Sequence, residues 1–252
     1  MKMLLTVEFD GGGYCGWQAQ RNLPTVQQTL TKCANETYGR RCLVTGCSRT
    51  DSGVHAKGYR CTVEFAEEGR SISDVIPAES LPDAMNAHLP KGGISVIGAS
   101  VVGDDFHPRY SAKSKTYEYI FYTRRRSPFL SGYVYETAEI DDAMLARMNA
   151  AAERLVGRHD FAAFMSSGSS VSDTERTIYE CRVRRCGDFV IFSVRGDGFL
   201  YNMVRIMAGT LLEAARGKIS PCEVTEIIMS RDRGRAGPTL PPHALFLTDV
   251  EY

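Results

Sequence analysis

The chain of 252 residues carries 30 basic and 30 acidic side chains, so its formal net charge is zero; 43% of its residues are hydrophobic and 24% charged. That composition excludes a disordered chain, which cannot bury enough apolar surface to fold, and is ordinary for a globular protein. No apolar run approaches bilayer-spanning length, and the opening Met1-Lys2-Met3-Leu4-Leu5 lacks the apolar core of a signal peptide, so the expected location is the cytoplasm.

Along the chain, Leu5, Val7 and Phe9 alternate with Thr6, Glu8 and Asp10, the period of a half-buried strand. A glycine-rich loop follows at 11–16. Thr25 then opens a helix, with Gln28 completing a capping box and Val26, Leu30 and Cys33 as the apolar stripe. A short strand at about 43–47 leads into the polar loop 48–53, and a second strand runs over about 58–65. Ser80 and Asp83 start a short helix ending near His88, and 94–102 reads as a strand. Gly103-Asp104-Asp105 is polar and suits a junction.

Beyond the junction the order repeats with longer pieces. A strand rich in Tyr and Phe covers 112–122, and Asp141 starts a helix carrying Met144, Met148 and Leu155. Strands at 178–186 and 189–195 form a hairpin turned by Gly187-Asp188. The most periodic helix, 201–216, carries Val204, Met207, Leu211 and Ala214. Ser220-Pro221, with Glu223 following, starts another helix, and 244–250 is a final strand.

Each half thus approximates β-α-β-β-α-β, the ferredoxin-like order. The expected fold class is α+β, with two ferredoxin-like (RRM-like) α/β subdomains of antiparallel sheet, 1–104 and 105–252. In RRM domains sheet aromatics stack on bases. The strand with Tyr117, Tyr119 and Phe121 invites that comparison, although aromatic residues favour strands and cores in any case.

The eight cysteines include no C-x-x-C pair, and no His lies at a ligand-like offset from a Cys pair, which points to reduced, mostly buried thiols. The neutral charge weighs against a nucleic-acid binder. Local basic clusters offset that: Arg124-Arg125-Arg126, Arg182 with Arg184-Arg185, and Arg231, Arg233 and Arg235. Such clusters are solvated surface or phosphate contacts.

The segment Gly46-Cys47-Ser48-Arg49-Thr50-Asp51-Ser52-Gly53-Val54-His55-Ala56 stands out. Alone, Asp51 in Thr-Asp-Ser-Gly is a turn former that bonds its own backbone. The alternative is a carboxylate kept ionised by Arg49 and able to act as nucleophile or base. The segment resembles the Arg-Thr-Asp-Ala/Ser-Gly-Val-His motif of the tRNA pseudouridine synthase A (TruA) family, and further matches follow in family order. They are Tyr14-Cys15-Gly16-Trp17-Gln18, Asn86-Ala87-His88-Leu89-Pro90, Asp105-Phe106-His107-Pro108-Arg109-Tyr110-Ser111-Ala112 with Lys115-Thr116-Tyr117-Glu118-Tyr119, His159-Asp160-Phe161, Gly198-Phe199-Leu200-Tyr201-Asn202-Met203-Val204-Arg205 and Ala236-Gly237-Pro238-Thr239-Leu240-Pro241-Pro242.

The resemblance implies an isomerase that converts uridine to pseudouridine in the anticodon arm of tRNA, at positions 38, 39 and 40. It needs no cofactor or metal and works as a homodimer. It assigns Asp51 as catalytic nucleophile, Tyr117 as the ring packed on the target uracil, Arg205 as the partner of the aspartate and Arg49 as a contact to the flipped nucleotide. An active-site cleft between the two subdomains is then expected. His55 and His107 read as loop-ordering or phosphate contacts, and Trp17 as structural. A catalytically silent RNA-binding module and a protein scaffold are the competing readings; neither has a use for Asp51.

Overall fold

The computed structural model describes residues 1–67, 71–124, 126–168 and 171–252; Arg125 of the first basic cluster lies outside them. The chain divides into two compact units, Met1–Lys113 with Leu247–Tyr252, and Ser114–Phe246. The anticipated junction at 103–105 falls inside the first unit, because the segment that follows is tied to the returning C-terminus. Lys113 N–H donates to the Glu251 carbonyl at 2.8 Å, the Tyr252 hydroxyl donates to the Pro108 carbonyl at 2.9 Å, and the Phe106 and Tyr252 rings lie 4.9 Å apart.

In the first unit, β1 (Lys2–Phe9), α1 (Val26–Tyr38), β2 (Cys42–Gly46), β3 (His55–Phe65), α2 (Leu81–Asn86) and β4 (Ile94–Val102) follow the anticipated β-α-β-β-α-β order. β1 pairs antiparallel with β4 on one side and β3 on the other, and β2 pairs antiparallel with β3. The core is built from Leu5, Val7, Leu30, Cys33, Tyr59, Val63, Leu81 and Met85, all at 2% exposure or less. The stripe read from the sequence, Val26, Leu30 and Cys33, is the buried face of α1. Thr25 caps α1 by accepting from Gln28 N–H, but the capping box does not close: Gln28 Oε1 instead accepts from the Thr25 hydroxyl at 2.7 Å.

The second unit contains β5 (Ser114–Tyr122), β6 (Tyr135–Glu136), α3 (Asp142–Glu153), β7 (Gly157–Asp160), β8 (Glu175–Cys186), β9 (Phe189–Gly196), α4 (Met203–Ala215) and α5 (Pro221–Ser230). β10 (Leu245–Glu251) begins in it and ends in the first unit. Its sheet runs β5-β9-β8-β7 in antiparallel pairs, with β6 parallel to β5. Gly187 turns the β8–β9 hairpin at φ +58°. Short β6 and β7 escaped the sequence pattern because two to four residues carry no period.

The comparison of β5 with a base-stacking sheet fails for two of its rings. Tyr119 and Phe121 are wholly buried, on the face that α4 covers, and the Tyr119 hydroxyl donates to the Pro241 carbonyl at 3.0 Å. Helix α4 is buried along nearly its whole length, and Ser220 with Glu223 forms a complete capping box on α5. Among the described residues no helix is long and apolar enough to cross a membrane.

Cys33, Cys42, Cys47, Cys61 and Cys181 are buried, whereas Cys186 and Cys222 are exposed and Cys15 is between. Burial pushes the Cys33 and Cys42 thiols up to about 11 and those of Cys61 and Cys181 further. Since only the thiolate reacts, a disulfide-exchange reagent at pH 8 should label Cys186 and Cys222 rapidly and Cys15 more slowly. The other five should react only in denaturant. Fast labelling of all eight would contradict the closed cores.

Candidate active site

Asp51 lies in the loop between β2 and β3, which the preceding glycine-rich loop grips by backbone contact. The Asp51 carbonyl accepts from Val54 N–H at 3.2 Å, with Gly53 at φ +81° as the third residue of the turn. That position of a type II turn needs the left-handed region, which favours glycine. Gly16, at φ +85°, comes so close that a Cβ there would lie 2.5 Å from the Thr50 carbonyl oxygen and 3.2 Å from the Asp51 carbonyl carbon. A Cβ on Gly11 would lie 2.0 Å from the Val54 carbonyl oxygen. Trp17 N–H donates to the Thr50 carbonyl at 3.2 Å, and the Ser52 hydroxyl and Gly53 N–H both reach the Tyr14 carbonyl. Asp51 is half-buried, and the neighbouring Thr50 hydroxyl is buried without a hydrogen-bond partner among the described residues. Leaving such a group unpaired costs about 1–3 kcal/mol.

Two aromatic rings support the start of the loop. Trp17 stacks on Tyr59 with centroids 4.1 Å apart and planes at 24°, and the Tyr59 hydroxyl donates to the Ser48 carbonyl. Both rings are nearly or fully buried, which fits the structural reading of Trp17. His55, 1% exposed, closes the other end: its Nδ1 lies 3.0 Å from Gly11 N and 3.1 Å from Asp10 Oδ1. It orders the loop.

Arg49 does not keep the company that one reading of the loop gave it, beside the Asp51 carboxylate. Its side chain is exposed and, among the described residues, pairs with no carboxylate, Asp51 included. It lines a groove of about 200 Å³ shared with Trp17, Gln18, His107, Arg109 and Tyr110. All of these belong to the first unit.

Tyr117 and Arg205 belong to the second unit. Tyr117 sits on β5 opposite Val194 and is 6% exposed, with its ring edge-on to Phe199 at 5.1 Å. Arg205, in the first turn of α4, is half-buried; Nε donates to the Leu240 carbonyl and an Nη to Asn202 Oδ1, each at 2.6 Å. Asn202 itself is the N-cap at φ +61°, a conformation uncommon outside glycine and one that gathers at functional sites. Leu240 is delivered by a backbone-on-backbone contact. A Cβ on Gly209 would lie 1.9 Å from the Pro238 carbonyl oxygen, and Gly237 N–H donates to the buried Thr210 hydroxyl at 2.9 Å. The motif residues Gly198 to Arg205 and Ala236 to Pro242, far apart in sequence, thus meet at one guanidinium.

A relative from Clostridium acetobutylicum, named tRNA pseudouridine synthase A, is 44% identical over 249 residues, covering 98% of each chain. The chain belongs to the tRNA pseudouridine synthase A family. Relatives of the same name from Thermoanaerobacter pseudethanolicus and Caldicellulosiruptor saccharolyticus are 41% identical over 99% of both chains. A family model described as tRNA pseudouridine synthase matches residues 151–252. Among solved structures, a chain titled as part of a Cbf5-Nop10-Gar1 complex aligns with 83% of this chain and 44% of that chain, at 11% identity and a TM-score of 0.39, too distant to bear on the fold.

For this pseudouridine synthase A relative, sequence reasoning assigned no role to Asn202, Arg109 or Tyr110, although all three stand inside quoted motifs. The left-handed backbone of Asn202 and the 77% exposure of Tyr110 are properties of the folded chain. The grip on the Asp51 loop gives a direct test. Gly16→Ala combines a left-handed φ with a backbone clash and should lower stability by about 2–3 kcal/mol in urea unfolding. Gly13→Ala, where a Cβ would meet nothing within 4 Å, should change it by less than about 0.5 kcal/mol.

Proposed function

We propose that the protein isomerises uridine to pseudouridine in the anticodon stem-loop of tRNA, at positions 38, 39 and 40, with Asp51 as the nucleophile. What carries the reading is the Arg49-Thr50-Asp51 segment: it matches the family motif, and the folded chain invests two glycine contacts and a buried His–Trp–Tyr set in fixing it. The reaction breaks the bond between N1 and C1′, turns the base and joins C5 to C1′. Atoms and electrons balance within the nucleotide, so a single nucleophile that traps an intermediate divides one hard step into two easier ones.

The target base leaves its stack to reach the site. Tyr117 packs against the extruded uracil, Arg205 pairs with the Asp51 carboxylate, and Arg49 holds the flipped nucleotide by its phosphate. Residues 1–104 therefore supply Asp51 and Arg49, and residues 105–252 supply Tyr117 and Arg205. The antiparallel β4-β1-β3-β2 order of the first unit supports reading it as ferredoxin-like, and the second as its longer counterpart. The working form is a cytoplasmic homodimer that binds one tRNA across both subunits.

Site-by-site pseudouridine mapping on an unmodified tRNA transcript tests the assignment. Asp51→Ala should lose activity by at least about 10⁴-fold, the scale of removing a nucleophile, while binding tRNA within a few-fold of wild type. Appreciable product from that variant would end the nucleophile assignment. Tyr117→Ala should abolish turnover with near-native circular dichroism, and Tyr117→Phe, which keeps the ring face, should retain substantial turnover. Loss of the native spectrum in Tyr117→Ala would make the ring structural.

A further inference from the structure

The arginine clusters that the sequence singles out are largely spent on neighbouring acids. Arg124 pairs with Asp188 at 2.8 Å, Arg184 with Glu118 at 3.2 Å, Arg231 with Asp160 at 2.8 Å and Arg235 with Glu226 at 3.1 Å. Arg233 is held by the Thr239 hydroxyl at 2.9 Å. The groove beside the Asp51 loop differs in kind. No Asp or Glu lines it, and among the described residues neither Arg49 nor Arg109 forms an ion pair.

Its far wall is the His107-Pro108-Arg109-Tyr110 turn, which is rigidly built. His107 N–H donates to the Ser111 hydroxyl, Ser111 N–H returns to the His107 carbonyl at 2.9 Å, and Tyr252 holds the Pro108 carbonyl from the C-terminus. His107 Nδ1 accepts from the N–H groups of Arg109 at 3.1 Å and Tyr110 at 3.4 Å. That fixes the tautomer, so Nε2 is the protonated nitrogen and a donor with no partner among the described residues. Tyr110 is 77% exposed, with the Arg109 guanidinium 5.8 Å from its ring centroid and the His107 ring 4.4 Å away. An exposed ring beside unpaired cations has no folding role that explains it. Together these groups have the chemistry that single-stranded RNA meets: cationic groups for a phosphodiester and an open aromatic face for an unstacked base.

We propose that this groove binds a second nucleotide of the RNA, distinct from the uridine that reacts, with its phosphate on Arg109 and its base on Tyr110. The inference rests on the reading of the protein as an RNA-modifying enzyme. It adds a positioning contact: a neighbour of the target is gripped outside the reaction site, so that extrusion of the uridine is directed toward Asp51.

The experiment measures the dissociation constant of an unmodified tRNA transcript against salt, together with single-turnover pseudouridine formation at saturating enzyme. The proteins are wild type, Arg109→Ala, Tyr110→Leu, Tyr110→Trp and, as a paired surface control, Arg158→Ala. Arg109→Ala should lower the slope of log K against log salt by about 0.7–0.9, the value for one lost phosphate contact. Tyr110→Leu should weaken binding about tenfold, and Tyr110→Trp should restore it, because a base needs a ring face and not merely apolar volume. Arg158→Ala should leave slope and affinity unchanged. If Arg109→Ala and both Tyr110 variants bind as wild type does, while wild type forms pseudouridine, the groove proposal is overturned and the enzymatic reading stands. Equal weakening by Leu and Trp at position 110 overturns the stacking contact. If wild type makes no pseudouridine but binds RNA with the expected variant pattern, the enzymatic reading fails and the groove survives.

Discussion

The contact on which the site depends is backbone against backbone. Gly11 and Gly16 bring the loop after β1 against the carbonyls of Val54 and Thr50, closer than any side-chain-bearing residue allows. Hydrogen bonds from Trp17 and Gly53 and the buried His55 then hold what the glycines admit. The loop that carries Asp51 is thereby braced at both ends by the segment that follows β1. A half-buried carboxylate on a braced loop suits the nucleophile proposed for it, since reacting atoms must be held close to their productive geometry.

The second unit uses the same device. Gly209 on α4 and Gly237 in the Ala-Gly-Pro-Thr-Leu segment meet where no Cβ fits, and the segment then presents the Leu240 carbonyl to Arg205. With Asn202 holding the guanidinium from the other end, Arg205 is ordered before any substrate arrives. An arginine so placed loses little further side-chain entropy on binding an anion. The left-handed Asn202 is the local strain that accompanies this ordering.

Charge tells the units' surfaces apart from their composition. A net charge of zero hides a molecule in which many arginines are neutralised in place while a groove beside Asp51 stays cationic and free of acids. Local excess, not total charge, sets the potential that a phosphodiester meets. The objection that a neutral protein is a poor RNA binder therefore applies to the whole surface and not to this groove.

The sequence by itself determined the element order of the first unit, the buried stripe of α1, the hairpin at Gly187 and the identity of the family. Period, turn chemistry and ordered motifs are local in the chain and survive without coordinates. It did not reveal short β6 and β7, whose two to four residues carry no period, or the departure of Gln28 from a closed capping box, which turns on the acceptor that the Thr25 hydroxyl takes. Nor did it reveal that Arg49 lines a groove without pairing with a carboxylate, that Tyr119 and Phe121 are core rings, or that Tyr110 stands in solvent. Exposure and pairing are decided when distant segments close on one another: α4 over β5, and the C-terminal Tyr252 against Pro108. Asp51 could be named from its motif, but only the tertiary structure explained the glycines around it, since a close approach between backbones exists only once both have folded.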